Sequence, residues 1–153
     1  MRFSTKTEYG LKAMMDLALH EGQGPIPVPA IAKRQSIPKK FLEQILHQLR
    51  KKGLVQASRG ALGGYSLNRR PSQITVADVV GLFETKTTPR KRRVGAKILE
   101  PAVASDQAAR IVWNRIDQAV NHALTTTTLE ELTEEARARH SSHAVKHPYA
   151  FHI

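Results

Sequence analysis

The sequence predicts a mainly α-helical domain carrying one small β-hairpin, followed by a separate long helix, and three observations carry that reading. Apolar residues recur every three or four positions in blocks closed by glycine or proline, the signature of amphipathic helices. Residues 54–68 break the rhythm with two short runs around a glycine-rich centre, which reads as a hairpin. Residues 85–100 hold no sustained apolar period, and a new one begins at Ala109.

The first helix is expected to start at Thr5, because Thr5-x-x-Glu8 has the form of a capping box. Leu11, Met14, Met15, Ala18 and Leu19 give it an apolar stripe, and Gly22 and Gly24-Pro25 stop it. A short second helix starts near Pro29, where a missing N–H costs nothing, and runs to about Arg34 before the turn Gln35-Ser36-Ile37. Pro38 opens a third helix, with Leu42, Ile45, Leu46 and Leu49 facing inward and Gly53 closing it. Its opposite face is Lys40, Glu43, Gln44 and His47. Leu54–Ser58 and Tyr65–Asn68 form the strands around the loop from Arg59 to Gly64. Thr75, with Asp78 in the box position, caps a fourth helix that buries Val76, Val79, Val80 and Phe83.

Beyond that point, Ser105-Asp106 starts a longer helix with Ala109, Val112, Trp113, Ile116, Val120, Ala123 and Leu124 on one stripe. Four threonines are expected to interrupt it. Thr128-x-x-Glu131 then caps a last, polar helix through about Arg139, and the tail after His140 shows little helical pattern. The expected organisation is a first domain at 1–84, a basic linker at 85–105, a helical unit at 106–139 and a histidine-containing tail at 140–153.

Charge narrows the function. Among 153 residues, Lys plus Arg number 24 and Asp plus Glu 13, so the net charge is +11 and the expected partner is polyanionic. Residues 1–84 carry 13 basic and 6 acidic side chains and residues 85–100 carry 6 and 1, whereas residues 101–153 carry 5 and 6. All the excess therefore lies in the first domain and its linker. There is no cysteine, which excludes disulfides, thiolate metal sites and thiol nucleophiles. No run approaches the ~18 apolar residues of a membrane span and the first residues lack a signal-peptide core, so no membrane partner and a cytoplasmic location are expected. No triad spacing or phosphate-cradling GxxxxGK[ST] loop supports an enzyme.

Two helices joined by a tight turn, the second with a donor-rich face and followed by a glycine-tipped hairpin, make a winged helix-turn-helix. In that arrangement the third helix enters the major groove of double-stranded DNA and its first turns meet base edges. Lys39, Lys40, Glu43, Gln44 and His47 occupy that face. Lys can donate to guanine, Gln can pair bidentately with adenine and Glu can accept from cytosine. Alone, such a face is more often just solvated. The hairpin behind it changes the balance, because Arg59 beside Gly60, Gly63 and Gly64 suits a narrow minor groove, where negative potential favours arginine. The alternative is a basic winged helix that binds structured RNA or a partner protein. Exposed aromatics for base stacking would favour RNA, and aromatic content is only 5%.

The stretches Ile31–Ile37, Phe41–Val55 and Ser58–Tyr65, including Leu42-Glu-Gln, Leu49-Arg-Lys-x-Gly-Leu-Val and Arg59-Gly-x-x-Gly-Gly-Tyr65, resemble the BadM/IscR-type winged-helix transcription factors. The likeness is close over residues 1–84 and looser to Trp113 and Thr128–Leu132, which look like the family's dimerisation helix and the segment after it. It implies a homodimer that binds an imperfectly palindromic operator and usually represses transcription. It also assigns Glu43 to the reading helix and places Arg59 and Gly60 in the wing, within the motif that ends Gly63-Gly64-Tyr65. Many relatives hold an iron-sulfur cluster on three cysteines between the fourth helix and the dimerisation helix. Here that interval has none, and Arg110 stands where one branch has a histidine three residues before the tryptophan. No cofactor is expected, and any signal should enter as a small molecule or partner protein.

His140, His143, His147 and His152 invite a metal reading, but they lie beyond the last expected helix and read better as a solvated tail. His122 reads as an interface residue, and Trp113 as buried in a core or an interface. The run Arg90–Arg93 either meets phosphates or keeps the linker solvated.

Overall fold

The computed structural model describes residues 3–84 and 104–144. Its order is α1 (Thr5–Leu19), α2 (Val28–Gln35), α3 (Lys39–Lys51), β1 (Val55–Ser58), β2 (Gly64–Leu67), a 3₁₀ turn at Pro71–Gln73, α4 (Val76–Phe83), α5 (Ala104–Thr126) and α6 (Leu129–Ala144). This is the mainly helical winged arrangement the sequence predicts. The linker run Arg90–Arg93 and the tail histidines His147 and His152 lie outside the described residues.

The start of α1 differs from expectation. Ser4, not Thr5, is the cap: its hydroxyl accepts from the Thr7 N–H at 3.3 Å, and the Glu8 N–H donates to the Ser4 carbonyl at 3.0 Å. In a local capping box the Glu8 carboxylate would take the cap's own N–H. Here Glu84, at the far end of α4, accepts it at 2.8 Å and also accepts from the Thr7 hydroxyl at 2.6 Å. These bonds, the Thr7 one foremost, hold the Glu84 carboxyl below the usual carboxylate range. The buried face of α1 is also rotated from the predicted stripe. Ala13, Met14, Leu17 and Ala18 are buried, whereas Leu11, Met15 and Leu19 are only half-buried. Gly10 explains the rotation: a Cβ there would sit 2.5 Å from Phe83 Cε2, so α4 packs where α1 is bare.

α2 contributes Ile31 to the core and ends on Ser36, whose φ of 53° is left-handed. The Ile37 N–H then donates to the Ala32 carbonyl at 3.0 Å, and the buried Ile37 pins the turn that aims α3. In α3 the four predicted positions Leu42, Ile45, Leu46 and Leu49 are all fully buried. Gly53, at a φ of 74°, lets the chain leave α3 and enter β1 directly. The hairpin pairs antiparallel with Val55 opposite Leu67 and Ser58 opposite Gly64, so Gly64 belongs to the second strand and not to the loop. Thr75 and Asp78 form the predicted capping box of α4 in full.

The last two helices depart from expectation in two places. Thr125 and Thr126 stay helical, their hydroxyls donating to carbonyls one turn back, Asn121 and His122, and the break falls at Thr127-Thr128. The last helix, capped reciprocally by Thr128 and Glu131 as predicted, continues to Ala144, five residues past the expected end. Its first residue, Leu129, is fully buried in the core of the first domain. Its N–H donates to the Ile74 carbonyl, and the Val76 N–H donates to the Thr127 carbonyl, each at 2.9 Å. The segment after the long helix therefore returns to the winged domain and packs along α1, although the sequence grouped it with α5.

Candidate nucleic-acid interface

α3 is strongly two-faced. Lys39, Lys40, Glu43, Gln44 and His47 recur at one helical face and all are exposed, while the opposite face is closed by the core. The helix is thus fixed from behind and presents its donors and acceptors to whatever lies in front. Lys39 Nζ stands 4.0 Å from Glu43 Oε1, with both side chains at least half exposed. Such a pair is worth a few tenths of a kcal/mol, so it does not lock Glu43 away from a base edge.

An ionic clamp ties α1 to α2, the first helix of the turn motif. Asp16 of α1 is 1% exposed and accepts from Arg34 Nε and Nη2 of α2 at 2.9 and 2.7 Å, and from Gln35 Nε2 at 2.9 Å. Burial pushes the Asp16 carboxyl up, but the hydrogen bonds from Arg34 and Gln35 and the charges of Arg34 and His20 outweigh it. The net effect holds Asp16 below the usual carboxylate range. Sequence reasoning missed this clamp; its one signal was an aspartate between the apolar residues Met15 and Leu17.

The predicted wing residues divide by role. Arg59 and Gly60 are exposed, with Gly60 at a φ of 105°. Gly63 and Gly64 shape the wing: a Cβ on Gly63 would lie 2.5 Å from the Ser58 carbonyl oxygen, and one on Gly64 2.2 Å from that of Ile26. Tyr65 is half-buried against the core and exchanges two backbone hydrogen bonds with Ile26, at 2.8 and 2.9 Å, which seat the hairpin on the α1–α2 connection. The sequence reading overlooked Leu62 at the tip, which is 90% exposed.

On α5, residues 106–119 are exposed throughout, and partial burial begins at Val120 and Leu124. Val112, Trp113 and Ile116 of the predicted stripe are 54, 65 and 44% exposed, and Ile111, which the stripe omitted, is 53% exposed. Ala109 and Ala123 are exposed as well. Trp113 therefore has no place in the core of a single chain. His122 is exposed on the same helix. No helix among the described residues is long and apolar enough to cross a membrane.

A family model named Rrf2 and described as "Iron-dependent Transcriptional regulator" matches residues 3–135. The chain is 39% identical over 132 residues to the HTH-type transcriptional regulator CymR of Bacillus subtilis, spanning 86% of this chain and 89% of that protein. It is 35% identical over 133 residues to the regulator IscR of Photorhabdus laumondii, spanning 86% and 79%. The solved structure of CymR, the global cysteine regulator of B. subtilis, superposes with a TM-score of 0.72 at 36% identity, covering 88% of this chain and 98% of that one. IscR of T. potens superposes with a TM-score of 0.71 at 34% identity, covering 89% and 88%.

The residues present do not fit a thiolate-held iron-sulfur cluster. The sequence contains no cysteine, and such clusters need soft anionic donors. Arg110, three residues before Trp113, is paired with Asp106 at 3.5 Å. Among the described residues no three His, Asp or Glu side chains converge as a metal site.

Proposed function

Since the chain belongs to the Rrf2 family of transcriptional regulators, which are DNA-binding proteins and not enzymes, we propose that it binds one imperfectly palindromic operator as a homodimer and represses the genes beside it. The observation that carries the reading is α3: one face wholly buried, the other an exposed row of Lys39, Lys40, Glu43, Gln44 and His47, with Arg59 in the wing that follows. Donors and acceptors on a rigid helix read base edges, and an arginine on a hairpin meets the negative potential of a minor groove.

The homodimer rests on α5, whose Ile111, Val112, Trp113 and Ile116 are 44–65% exposed in a single chain. A two-fold pair of such helices would cover them, and two-fold symmetry matches an inverted repeat with reading helices about one DNA turn apart (~34–36 Å). Repression rests on the resemblance to the family, by occlusion of a promoter. No cluster is part of the reading, because the donors are wrong for one. An effector, small molecule or partner protein, would act between α4 and α5 by binding one spacing of the reading helices better than another.

The test is selection of duplexes from a randomised pool by the full chain, followed by light scattering of the complex. An inverted repeat holding two chains is the expected result. A monomer both free and on DNA, or selected sites without dyad symmetry, would overturn it. In transcription from a promoter carrying the selected site, added protein should lower the transcript; a rise would overturn the repressor assignment.

A further inference from the structure

The wing ends in an apolar point inside a basic module. The Gly63 N–H donates to the Gly60 carbonyl at 3.0 Å, which closes a tight turn with Ala61 and Leu62 as its corner residues. Those two side chains are therefore the apex of the hairpin. Neither takes a positive φ, whereas Gly60 does, at 105°, and a Cβ on Gly63 would lie 2.9 Å from the Gly60 carbonyl oxygen. Leu62 stands at this apex and is 90% exposed.

A single exposed leucine needs no explanation on most surfaces. This one sits where charge restricts what it can meet. The sequence between Glu43 and Asp78 has no acidic residue and carries the fixed cations Arg50, Lys51, Lys52, Arg59, Arg69 and Arg70, with Glu21 of the α1–α2 connection the one carboxylate that shares a pocket with the wing strands among the described residues. A second copy of this wing would be repelled. A polyanion would be attracted, and the minor groove of a duplex combines an anionic rim with sugar walls that are apolar.

We propose that Leu62 is a minor-groove contact of the wing, entering beside Arg59 and favouring sites where a flexible pyrimidine–purine step lets the groove open around it. The proposal rests on the DNA-reading function above and adds a source of selectivity to it. Arg59 meets the potential of the groove, which every sequence has. Leu62 meets its shape, which varies with sequence, because apolar side chains pressed against a base step act through the cost of deforming it.

The test uses the full chain and duplexes it selects from a randomised pool, titrated by fluorescence anisotropy at several KCl concentrations beside a random-sequence duplex. Leu62→Ala should weaken binding to the selected duplex on the order of tenfold, as loss of a buried leucine contact would. It should leave the random duplex nearly unaffected and the salt slope unchanged, since no phosphate contact is lost. Leu62→Met should restore most of the loss. Unchanged thermal melting, expected for a side chain in solvent, shows that folding is intact. If Leu62→Ala binds the selected duplex like the parent while Arg59→Ala lowers the salt slope, the leucine proposal falls and the wing's role on DNA stands. That result would instead point to an acidic protein as the partner of the tip. If neither substitution changes affinity or slope, the wing does not meet DNA and both readings fall.

Discussion

Glu43 and Arg59 carry opposite charges in what we assign to one interface, so their removal should read differently against salt. Arg59→Ala should weaken binding on every duplex and reduce the salt slope by about 0.9 for a lost phosphate contact. Glu43→Ala should relax the base preference and tighten binding overall, because an anion near phosphates has gone. Anisotropy titrations of both variants on selected and scrambled duplexes check this, and equal losses on every sequence would argue against both assignments. Asp16 makes a different kind of prediction. Its carboxyl is held below its ordinary value of 3.8, so the charged form contributes stability that is complete at neutral pH. That contribution is lost as pH falls through the ordinary value toward the depressed one. Asp16→Ala should cost about 2 kcal/mol in urea unfolding at pH 7, less than the ~3–5 of a fully buried pair because the Arg34 side chain is 39% exposed. Asp16→Asn should flatten the stability curve below about pH 4. The apolar face of α3 could be read directly from its spacing, since burial follows helical period. The partner of Asp16 could not, because Arg34 lies on another helix.

At the scale of elements, α3 and the wing are positioned by different physics. α3 is held by four fully buried side chains, whereas the hairpin, whose strands bury only Val55 fully, is further seated by backbone contacts at Gly64 and Tyr65. Gly64→Ala should therefore displace the wing, since the neighbours of its Cβ are main-chain atoms of Ile26 and Pro27 that cannot rotate away. A loss of about 1–3 kcal/mol in unfolding free energy is expected, of the size found for overpacked sites. DNA affinity should fall, with base preference at the α3 positions retained. The long helix α5 makes the opposite case, an element whose Ile111, Val112, Trp113 and Ile116 are left exposed among the described residues. Ile116→Asp with Val120→Lys should give a monomer by light scattering, with operator binding weakened at least tenfold because each half-site must then be held separately. A dimer of undiminished affinity would show that another face makes the contact. The period of α5 was legible. That its apolar stripe would face solvent was not, because periodicity reports a face and never its partner.

The whole molecule ties its last helix back to its first. α6 brings Leu129 into the same core as Met14 and Ile74, and Arg137 Nη2 donates to the Leu19 carbonyl at 3.3 Å, so the end of α5 is anchored on the winged domain. In the proposed dimer, any shift of the paired α5 helices would then be felt at α1, which Asp16 clamps to α2. The chain's composition sets the chemistry such a shift can report. Anaerobically purified protein should be colourless, without charge-transfer bands in the visible, and should bind its selected duplex equally well before and after air. Stoichiometric iron and sulfide in a brown preparation would overturn that, with His122 and the tail histidines the first ligands to test.

The sequence by itself determined the helical periods, the glycine and proline boundaries, the capping boxes at Thr75 and Thr128, the basic first half and the absence of thiol chemistry. Each of these is local or additive: it depends on residues within a turn or two, or on a sum over the chain. Tertiary structure decided what required distant partners. Glu84 displaced Glu8 as the partner of the first cap, Phe83 against Gly10 turned α1 about its axis, and Leu129 carried α6 into the core. The tip of the wing became the pair Ala61-Leu62 only once the Gly60–Gly63 hydrogen bond closed the turn. A spacing rule records which side of a helix is apolar, but which neighbour covers that side is set by the packing of elements far apart in the chain.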